Sequence, residues 1–121
     1  MRRESFPRGS RLTRRRDYLR VQQGGERVYL PRFLVMIERQ AAPSAVAHVR
    51  LGVTVTRKVG SAVMRNRIKR LVREVFRRRR GELRGVADMV WVAKRSASST
   101  SFHEVWRGFD RVARRLSGQE R

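Results

Sequence analysis

Every second residue from Val49 to Val55 is apolar. This period of two is typical of a β-strand that buries one face and leaves the other open. The open side carries Arg50, Gly52, Thr54 and Thr56. Because Gly52 has no side chain, another backbone can approach this side closely, and a simple bulge is the alternative explanation. The pattern therefore predicts a half-buried strand whose polar side is a candidate binding surface.

Two stretches with apolar residues at steps of three and four predict helices. The first begins after Ser61, a candidate N-cap, and ends near Arg80, before Gly81. Its apolar stripe is Met64, Ile68, Leu71, Val72, Val75 and Phe76. The second has the stripe Phe102, Val105, Trp106, Phe109, Val112 and Leu116. Each stripe covers about a third of the helix circumference, so both helices are expected to pack on a sheet.

Three segments with a less regular pattern complete the predicted secondary structure. A short helix starts after Thr13 as its N-cap, carries Tyr18 and ends at Gly24 and Gly25. Apolar and β-favouring residues predict strands at residues 32–38 and 87–93, with loops at 40–44 and 96–101. The mixed order favours one α+β domain over residues 12–116, a flexible basic arm over residues 1–11 and a tail over residues 117–121.

The composition limits the classes of function. A chain of 121 residues fits one domain. It has no cysteine, which excludes disulfides, thiolate zinc sites and cysteine nucleophiles and favours a reducing compartment such as the cytoplasm. No apolar run approaches the roughly 18–20 residues that a membrane-spanning helix needs. A membrane partner is therefore not expected.

Charge is the strongest signal in the composition. The chain has 31 Lys and Arg residues against 10 Asp and Glu, a formal net charge of +21. Residues 57–80 contain eleven of these basic residues and one acid, Glu74. Like charges four residues apart on a helix, such as Arg65 and Lys69, cost ~0.2–0.5 kcal/mol when they are unpaired. A polyanion whose phosphates supply the missing charge is therefore favoured over a merely solvated helix face.

No protein active site stands out. The ten acids are scattered over different predicted elements, whereas a magnesium-dependent nuclease needs two or more carboxylates that converge on the ion. His48 and His103 are better explained as surface histidines than as an acid–base pair. No catalytic residue, metal site or small-molecule substrate is therefore predicted.

A longer run of residues resembles a known family. The segment from Lys58 to Glu74 is similar to the RNR signature of the bacterial ribonuclease P protein component, with Arg65-Asn66-Arg67 followed by Lys69-Arg70 and Arg73. The preceding segment, Leu51 to Lys58, resembles the second strand of that family, and the order of elements agrees from about Leu12 to Leu116. The resemblance extends beyond the signature to the preceding glycine, the helical spacing of the apolar residues and the upstream strand. It is therefore more specific than a match to Arg-Asn-Arg alone.

The resemblance implies a fold and a role. The family has a small α/β sandwich in which the helices, about three in this chain, pack on a mixed sheet with a left-handed βαβ crossover. Its members are the protein subunit of a ribonucleoprotein endonuclease that removes the 5′ leader from precursor tRNA. The RNA subunit holds the catalytic Mg²⁺, so no cofactor is expected on the protein itself. The implied partners are the catalytic RNA and precursor tRNA.

The resemblance also assigns residues to two surfaces. Those implied to contact the catalytic RNA are Arg57, Lys58, Arg65, Asn66, Arg67, Lys69, Arg70 and Arg73. Those implied to line a cleft for the single-stranded leader, between the first helix and the polar side of the sheet, are Tyr18, Phe33, Arg50, Thr54 and Thr56. Aromatic side chains suit such a cleft because they stack on bases. Gln22 stands where many members have a second aromatic residue, and Phe33 replaces it only if it faces the cleft.

Two other classes of function remain open on the residues alone. A structural RNA-binding protein of the ribosomal type would share the charge but would need no single-strand cleft. A DNA-binding module is disfavoured, because a strand, and not a second helix with a tight turn, precedes the basic helix. An accessory RNA-binding subunit accounts for both the basic helix and the polar side of the strand.

Overall fold

A computed structural model describes residues 11–39, 49–83 and 87–118, which form three α-helices and four β-strands. In chain order they are α1 (Arg15–Gly24), β1 (Glu26–Tyr29), β2 (Phe33–Arg39), β3 (Val49–Thr54), α2 (Ala62–Arg79), β4 (Ala87–Ala93) and α3 (Phe102–Leu116). Turns of 3-10 helix at Arg80–Glu82 and Arg95–Ser99 follow α2 and β4. None of the helices in these ranges is long and apolar enough to cross a membrane. Residues 1–10 of the predicted arm, the loop at 40–44, His48 and residues 119–121 of the tail lie outside the described residues.

The four strands form one mixed sheet with the order β1-β2-β4-β3. β1 and β2 are an antiparallel hairpin, and β2 pairs antiparallel with β4. β3 and β4 are parallel and are connected by α2, which is the βαβ unit that the resemblance implies. The left-handed sense of this crossover stays a prediction. At the free edge of β3, Leu12 N donates to the Leu51 carbonyl oxygen (2.9 Å), so the chain just before α1 runs beside the sheet.

The sheet has two unlike faces. On one face, α2 and α3 cover the main core, which includes Val35, Leu51, Ile68, Trp91 and Phe109. On the other face, α1 packs on a smaller cluster, whose buried members are Leu12, Val21, Met36 and Val90. One helix covers only part of a four-stranded sheet, so this second face stays partly open. We call it the open face, and the strand register places Arg50, Gly52 and Thr54 on it.

Two local predictions need correction. The sequence pattern does not predict β1, because only Val28 of its four residues is buried. This strand forms by pairing with β2, and the hydrogen bond from Leu30 N to the Phe33 carbonyl oxygen (2.9 Å) closes the turn. The expectation that Thr13 caps α1 is also wrong, since Arg14 occupies the N-cap position without a side-chain bond. Asp17 in the first turn instead supplies the negative charge that a helix N-terminus favours.

The two longer helices confirm their predicted stripes, and α2 also confirms its predicted N-cap. The buried apolar residues of α2 are Ile68, Val72, Val75 and Phe76, and those of α3 are Val105, Phe109, Val112 and Leu116. Ser61 Oγ accepts a hydrogen bond from Met64 N (3.2 Å), and Ser101 forms a reciprocal capping box with Glu104. The apolar positions of β3 also lie in the core, as the period of two predicts.

Candidate nucleic-acid interface

The outer side of the first half of α2 is basic because the buried stripe fixes which side of the helix faces solvent. Ile68 and Val72 point into the core. The side turned away from the core carries Asn66, Lys69, Arg70 and Arg73, and Arg65 lies at its border; we call these five residues the α2 basic face. All of these residues are exposed or half-buried. The structure thus brings together, on one helix, most of the residues that the resemblance assigns to the catalytic RNA.

The positive charge of the α2 basic face is not compensated within the described part of the chain. The side chains of Arg65, Lys69 and Arg70 make no ion pair or hydrogen bond there. The first turn of α2 also has no acid, although the positive end of a helix dipole favours negative charge. Both features favour the approach of an anion to this face.

The second half of α2 differs, because its arginines are paired within the protein. Glu74 accepts hydrogen bonds from Arg77 (3.0 and 2.6 Å) and from Arg78 (2.8 Å). These bonds, chiefly the one from Arg77, lower the pKa of Glu74 to about 2. This end of the helix therefore offers less positive charge to a phosphate than the first half does.

Arg79 is buried and does not belong to the basic surface. Its guanidinium donates to Glu82 (3.0 and 2.8 Å), to Asp110 and to the Trp106 carbonyl oxygen (2.8 Å). It also lies over the rings of Trp106 and Phe109, 4.6 and 4.8 Å from their centroids. A count of basic residues along the sequence cannot separate this structural arginine from the others, because Asp110 comes from a different helix.

The remaining residues assigned to the catalytic RNA lie beside the α2 basic face. Arg57 and Lys58 are exposed in the turn that joins β3 to α2. Arg67 is exposed as well, but its Nη2 donates to the Thr100 carbonyl oxygen (2.8 Å). Arg67 therefore ties α2 to the chain before α3 and has a structural role besides any contact with RNA.

A groove of about 720 Å³ runs beside the α2 basic face. Its lining includes Arg70 and Arg73 of α2, Arg11 from the chain before α1, and Phe102 at the start of α3. Guanidinium groups hold phosphates through charge-assisted hydrogen bonds, and aromatic rings stack on bases. The groove therefore has the chemistry to follow an RNA backbone.

On the open face, Tyr18 of α1 lies over Gly52 of β3. A Cβ atom at residue 52 would stand 2.7 Å from Tyr18 Cε2, which no side chain tolerates without a shift. Tyr18 Oη donates to the Leu12 carbonyl oxygen (3.1 Å), which holds the ring in place. A close approach at Gly52 is confirmed, but the approaching group is the aromatic ring of Tyr18 and not a backbone. Tyr18 is half-buried, so part of its ring remains at the surface.

A buried carboxylate organises the other end of the open face. Asp88 on β4 is 1% exposed and accepts hydrogen bonds from Arg50 Nε and Nη2, both at 2.7 Å. It also accepts from Arg20 Nη2 (2.5 Å), while Arg20 Nη1 lies 3.1 Å from Glu38 Oε1. The hydrogen bond to Asp88 is the main cause of a raised pKa at Arg50. Sequence reasoning missed Arg20 and Asp88, because only the strand register places Asp88 beside Arg50.

Phe33 does not line the open face, so its assignment to the leader cleft is corrected. It is 3% exposed, and its ring meets Trp91 edge to face at a centroid distance of 5.4 Å. Both rings belong to the core under α2 and α3, whereas the next residue, Leu34, packs with α1. Of the other residues assigned to the cleft, Thr54 lies on the open face and Thr56 is exposed just after β3.

The α2 basic face and the open face are adjacent at Arg73. The pKa of Arg73 is lowered, first by burial and then by repulsion from Arg11, whereas Tyr18 acts to raise it. Arg73 lines the same groove as Arg11, which belongs to the chain that enters α1 and bridges to Leu51 of β3. The two surfaces therefore adjoin around the β3 edge of the sheet.

The described residues offer binding groups for anions and bases. No group of three or more His, Asp or Glu side chains in these ranges is placed to hold a metal ion. His103 is exposed on α3. The carboxylates of Glu74 and Asp88 are instead engaged with arginines.

The chain matches the family model described as Ribonuclease P over residues 6–117. It is 36% identical over 107 residues to the Ribonuclease P protein component of Syntrophus aciditrophicus, and this alignment covers 88% of the chain and 87% of that protein. It is 44% identical over 101 residues to the Ribonuclease P protein component of Desulfovibrio desulfuricans, covering 84% of the chain and 76% of that protein.

Solved structures have the same fold. The RNase P protein from Thermotoga maritima is similar with a TM-score of 0.74 at 31% identity, over 88% of this chain and 96% of that one. The RNase P protein of Staphylococcus aureus gives a TM-score of 0.73 at 27% identity, over 85% and 91%. The chain therefore belongs to the ribonuclease P protein component family, the accessory subunits of the ribonucleoprotein endoribonuclease that matures the 5′ end of tRNA.

Proposed function

We propose that this protein binds the catalytic RNA of ribonuclease P with its α2 basic face and the 5′ leader of precursor tRNA with its open face. The chemistry stays with the RNA subunit, which holds the Mg²⁺ ions. The protein contributes affinity and positioning. Precursor tRNA is made in the bacterial cytoplasm, so this is where we expect the complex to act.

The observation that carries the proposal is the uneven distribution of acids along α2. Arg65 and Arg70 have no acidic partner within the described residues, whereas Arg77 and Arg78 share Glu74. Solvation alone does not explain this difference between the two halves of one helix. The phosphates of a structured RNA supply the missing charges, and the arginine fork can hold a phosphate through two hydrogen bonds.

The open face supports the second part of the proposal. A single-stranded leader has unpaired bases, which stack on aromatic rings with little regard to sequence. Tyr18 offers part of its ring at this face. The charge of Arg50 is shared with Asp88, so Arg50 contributes fixed hydrogen-bond donors more than net charge. Leader binding should therefore depend more on stacking, and less on salt, than binding of the catalytic RNA.

The test measures binding of the full chain to its cognate catalytic RNA at several salt concentrations. Arg65→Gln and Arg70→Gln should each lower the affinity and flatten the logarithmic salt slope by about 0.7–0.9 for a lost phosphate contact. Arg27→Gln is the matched control, because it removes one exposed charge from β1, at the far edge of the sheet. The control should leave the slope unchanged.

Two outcomes would count against the α2 basic face. If the Arg65 and Arg70 variants are folded by circular dichroism and keep the parent slope, this face is not the contact surface. If all three variants flatten the slope equally, the attraction depends on net charge and not on a particular face.

A further inference from the structure

A cavity of about 340 Å³ lies between the β1–β2 turn and α3. Its floor is apolar and includes Leu30, Pro31, Phe33 and Trp91. Its rim is basic on balance, because Arg32 and three arginines of α3 outnumber the one acid that lines it, Glu104; the three are Arg107, Arg111 and Arg114. The volume is at the lower end of the roughly 300–1,000 Å³ of small-molecule sites. The cavity therefore has room for one nucleotide and not for a helix.

The charge of Arg107 at this rim is not neutralised by the acids of its own helix. α3 contains two acids, Glu104 and Asp110, and both pair with arginines outside the helix. Glu104 Oε2 accepts from Arg32 Nε (3.0 Å), and Asp110 accepts from Arg79. The side chain of Arg107 makes no hydrogen bond or ion pair with the described residues. An anion at the rim would neutralise the charge of Arg107.

The wall of the cavity is held in place by Arg32. Besides its bond to Glu104, Arg32 Nη1 donates to the Ser96 carbonyl oxygen (2.5 Å) and to Ser99 Oγ (2.9 Å). Arg111 Nη1 donates to the Tyr29 carbonyl oxygen (2.9 Å) and so joins α3 to β1. These bonds form the site in the free protein, which lowers the cost of ordering it around a ligand.

Two residues that line the cavity also hold buried polar atoms. Trp91 Nε1 and Thr100 Oγ1 have no hydrogen-bond partner among the described residues. Buried polar groups in proteins are normally hydrogen-bonded. Both atoms are covered, so an occupant reaches them only after a small shift of the wall. Trp91 nevertheless places a spectroscopic reporter at the floor of the cavity.

We propose that this cavity binds one nucleotide unit, with its base against the apolar floor and its phosphate on the arginines of α3. Guanidinium planes stack on bases as well as bind phosphate, so Arg107 suits either contact. The unit comes from a free nucleotide or from single-stranded RNA, since both present the same base and phosphate. This cavity shares no residue with the α2 basic face and does not include Tyr18. The proposal therefore does not depend on the function proposed for those two surfaces.

The experiment uses the two tryptophans of the chain, Trp91 and Trp106. Fluorotryptophan labelling gives two fluorine NMR signals, which Trp106→Phe assigns. The full chain is titrated with adenosine monophosphate, hexa-adenylate RNA, inorganic phosphate and a hexaglutamate peptide. We expect a saturable shift of the Trp91 signal with a nucleotide probe, weakened roughly tenfold by Arg107→Gln. Tighter binding of adenosine monophosphate indicates a free nucleotide, and tighter binding of hexa-adenylate indicates RNA.

The controls separate this cavity from the other basic surfaces. Arg16→Gln on α1 removes the same exposed charge elsewhere and should leave the Trp91 response unchanged. If Trp106→Phe does not fold, the amide signal of Gly108, which lines the same cavity, reports binding in the unsubstituted chain. Absence of a saturable change at Trp91 and Gly108 would overturn the proposal. An equal change with inorganic phosphate or hexaglutamate would also overturn it, since the site would then be an anion site only.

Discussion

The ring of Tyr18 and the backbone of Gly52 are in such close contact that a side chain at residue 52 would require the ring to move. A Cβ atom there would lie 2.7 Å from Tyr18 Cε2 and 2.8 Å from Tyr18 Cζ. The contact places α1 against β3, and the hydrogen bond from Tyr18 Oη to the Leu12 carbonyl oxygen (3.1 Å) holds the ring. The position of the aromatic ring on the open face therefore depends on a glycine in another element.

We expect Gly52→Ala to displace Tyr18 and to destabilise the protein by about 1–3 kcal/mol, the usual cost of overpacking. The displacement of Tyr18 should also lower the affinity of the protein for leader-bearing precursor tRNA. Gly81→Ala is the matched control, because a Cβ atom at residue 81 meets nothing within 4 Å. Urea unfolding and precursor binding check both variants. A Gly52→Ala protein as stable as Gly81→Ala would contradict the packing.

If a base of the leader stacks on Tyr18, removal of the ring should weaken binding chiefly of RNA that carries the leader. Tyr18→Ala should weaken binding of precursor tRNA by ~1–3 kcal/mol if one base stacks there, and binding of mature tRNA much less. Tyr18→Phe keeps the ring and loses only the bond to Leu12, so it should retain most of the affinity. Fluorescence anisotropy with the reconstituted ribonucleoprotein measures both. Equal losses for precursor and mature tRNA would remove Tyr18 from the leader site.

Removal of the Asp88 charge takes from Arg50 its acidic partner and leaves Arg20 with Glu38 and Asp17 alone. We expect Asp88→Asn to destabilise the protein by about 2 kcal/mol, below the roughly 3–5 kcal/mol of a fully buried pair. The reason is that Arg20 and Arg50 are 39% and 31% exposed and keep part of their hydration. Glu26→Gln, which breaks the exposed pair with Arg39, should cost less than about 1 kcal/mol. Urea unfolding compares the two, and equal costs would contradict a special role for Asp88.

At low pH, the ion pairs in the second half of α2 should contribute less to the stability of the folded protein. The pKa of Glu74 is about 2 because Arg77 and Arg78 donate to it, and hydrogen bonds from Arg79 lower the pKa of Glu82. A carboxyl whose pKa is lowered by folding stabilises the protein above its unfolded pKa of about 4.3, and this contribution is lost as the pH falls towards the folded pKa. Glu74 is 37% exposed, so its contribution should be only that of a surface pair, ~0.5–1 kcal/mol.

The corresponding measurement is urea unfolding of Glu74→Gln and the parent at neutral pH and near pH ~2. The variant should be less stable than the parent at neutral pH, and the difference should shrink in acid. A difference that does not change with pH would show that the pair with Arg77 and Arg78 does not stabilise the folded protein.

The helices and the half-buried strand follow from local patterns in the sequence, whereas β1 and the direction of Phe33 do not. Ile68 and Phe109 belong to stripes of apolar residues that repeat with the period of a helix. Such a stripe can be recognised without knowing which surface it packs against. β1 has three exposed residues and one buried residue, so it exists only through its pairing with β2. β2 is buried on both sides over most of its length, so no alternation shows which side Phe33 faces.

At the interface, residue types are predictable and their partners are not. The helix period alone places Arg65, Lys69 and Arg73 on one side of α2. The pairing of Asp88 with Arg50 follows from the strand register, and the burial of Arg79 against Asp110 follows from the packing of α2 on α3. Local sequence carries no signal for contacts between such distant residues.

The most direct test of the account is cleavage of precursor tRNA by the cognate catalytic RNA at low, near-physiological Mg²⁺. The reaction is run with and without this protein, beside a control with protein alone. We expect accurate removal of the 5′ leader when both subunits are present, little cleavage by the RNA alone and none by the protein alone. Cleavage by the protein alone, or cleavage by the RNA that the protein leaves unchanged, would contradict it.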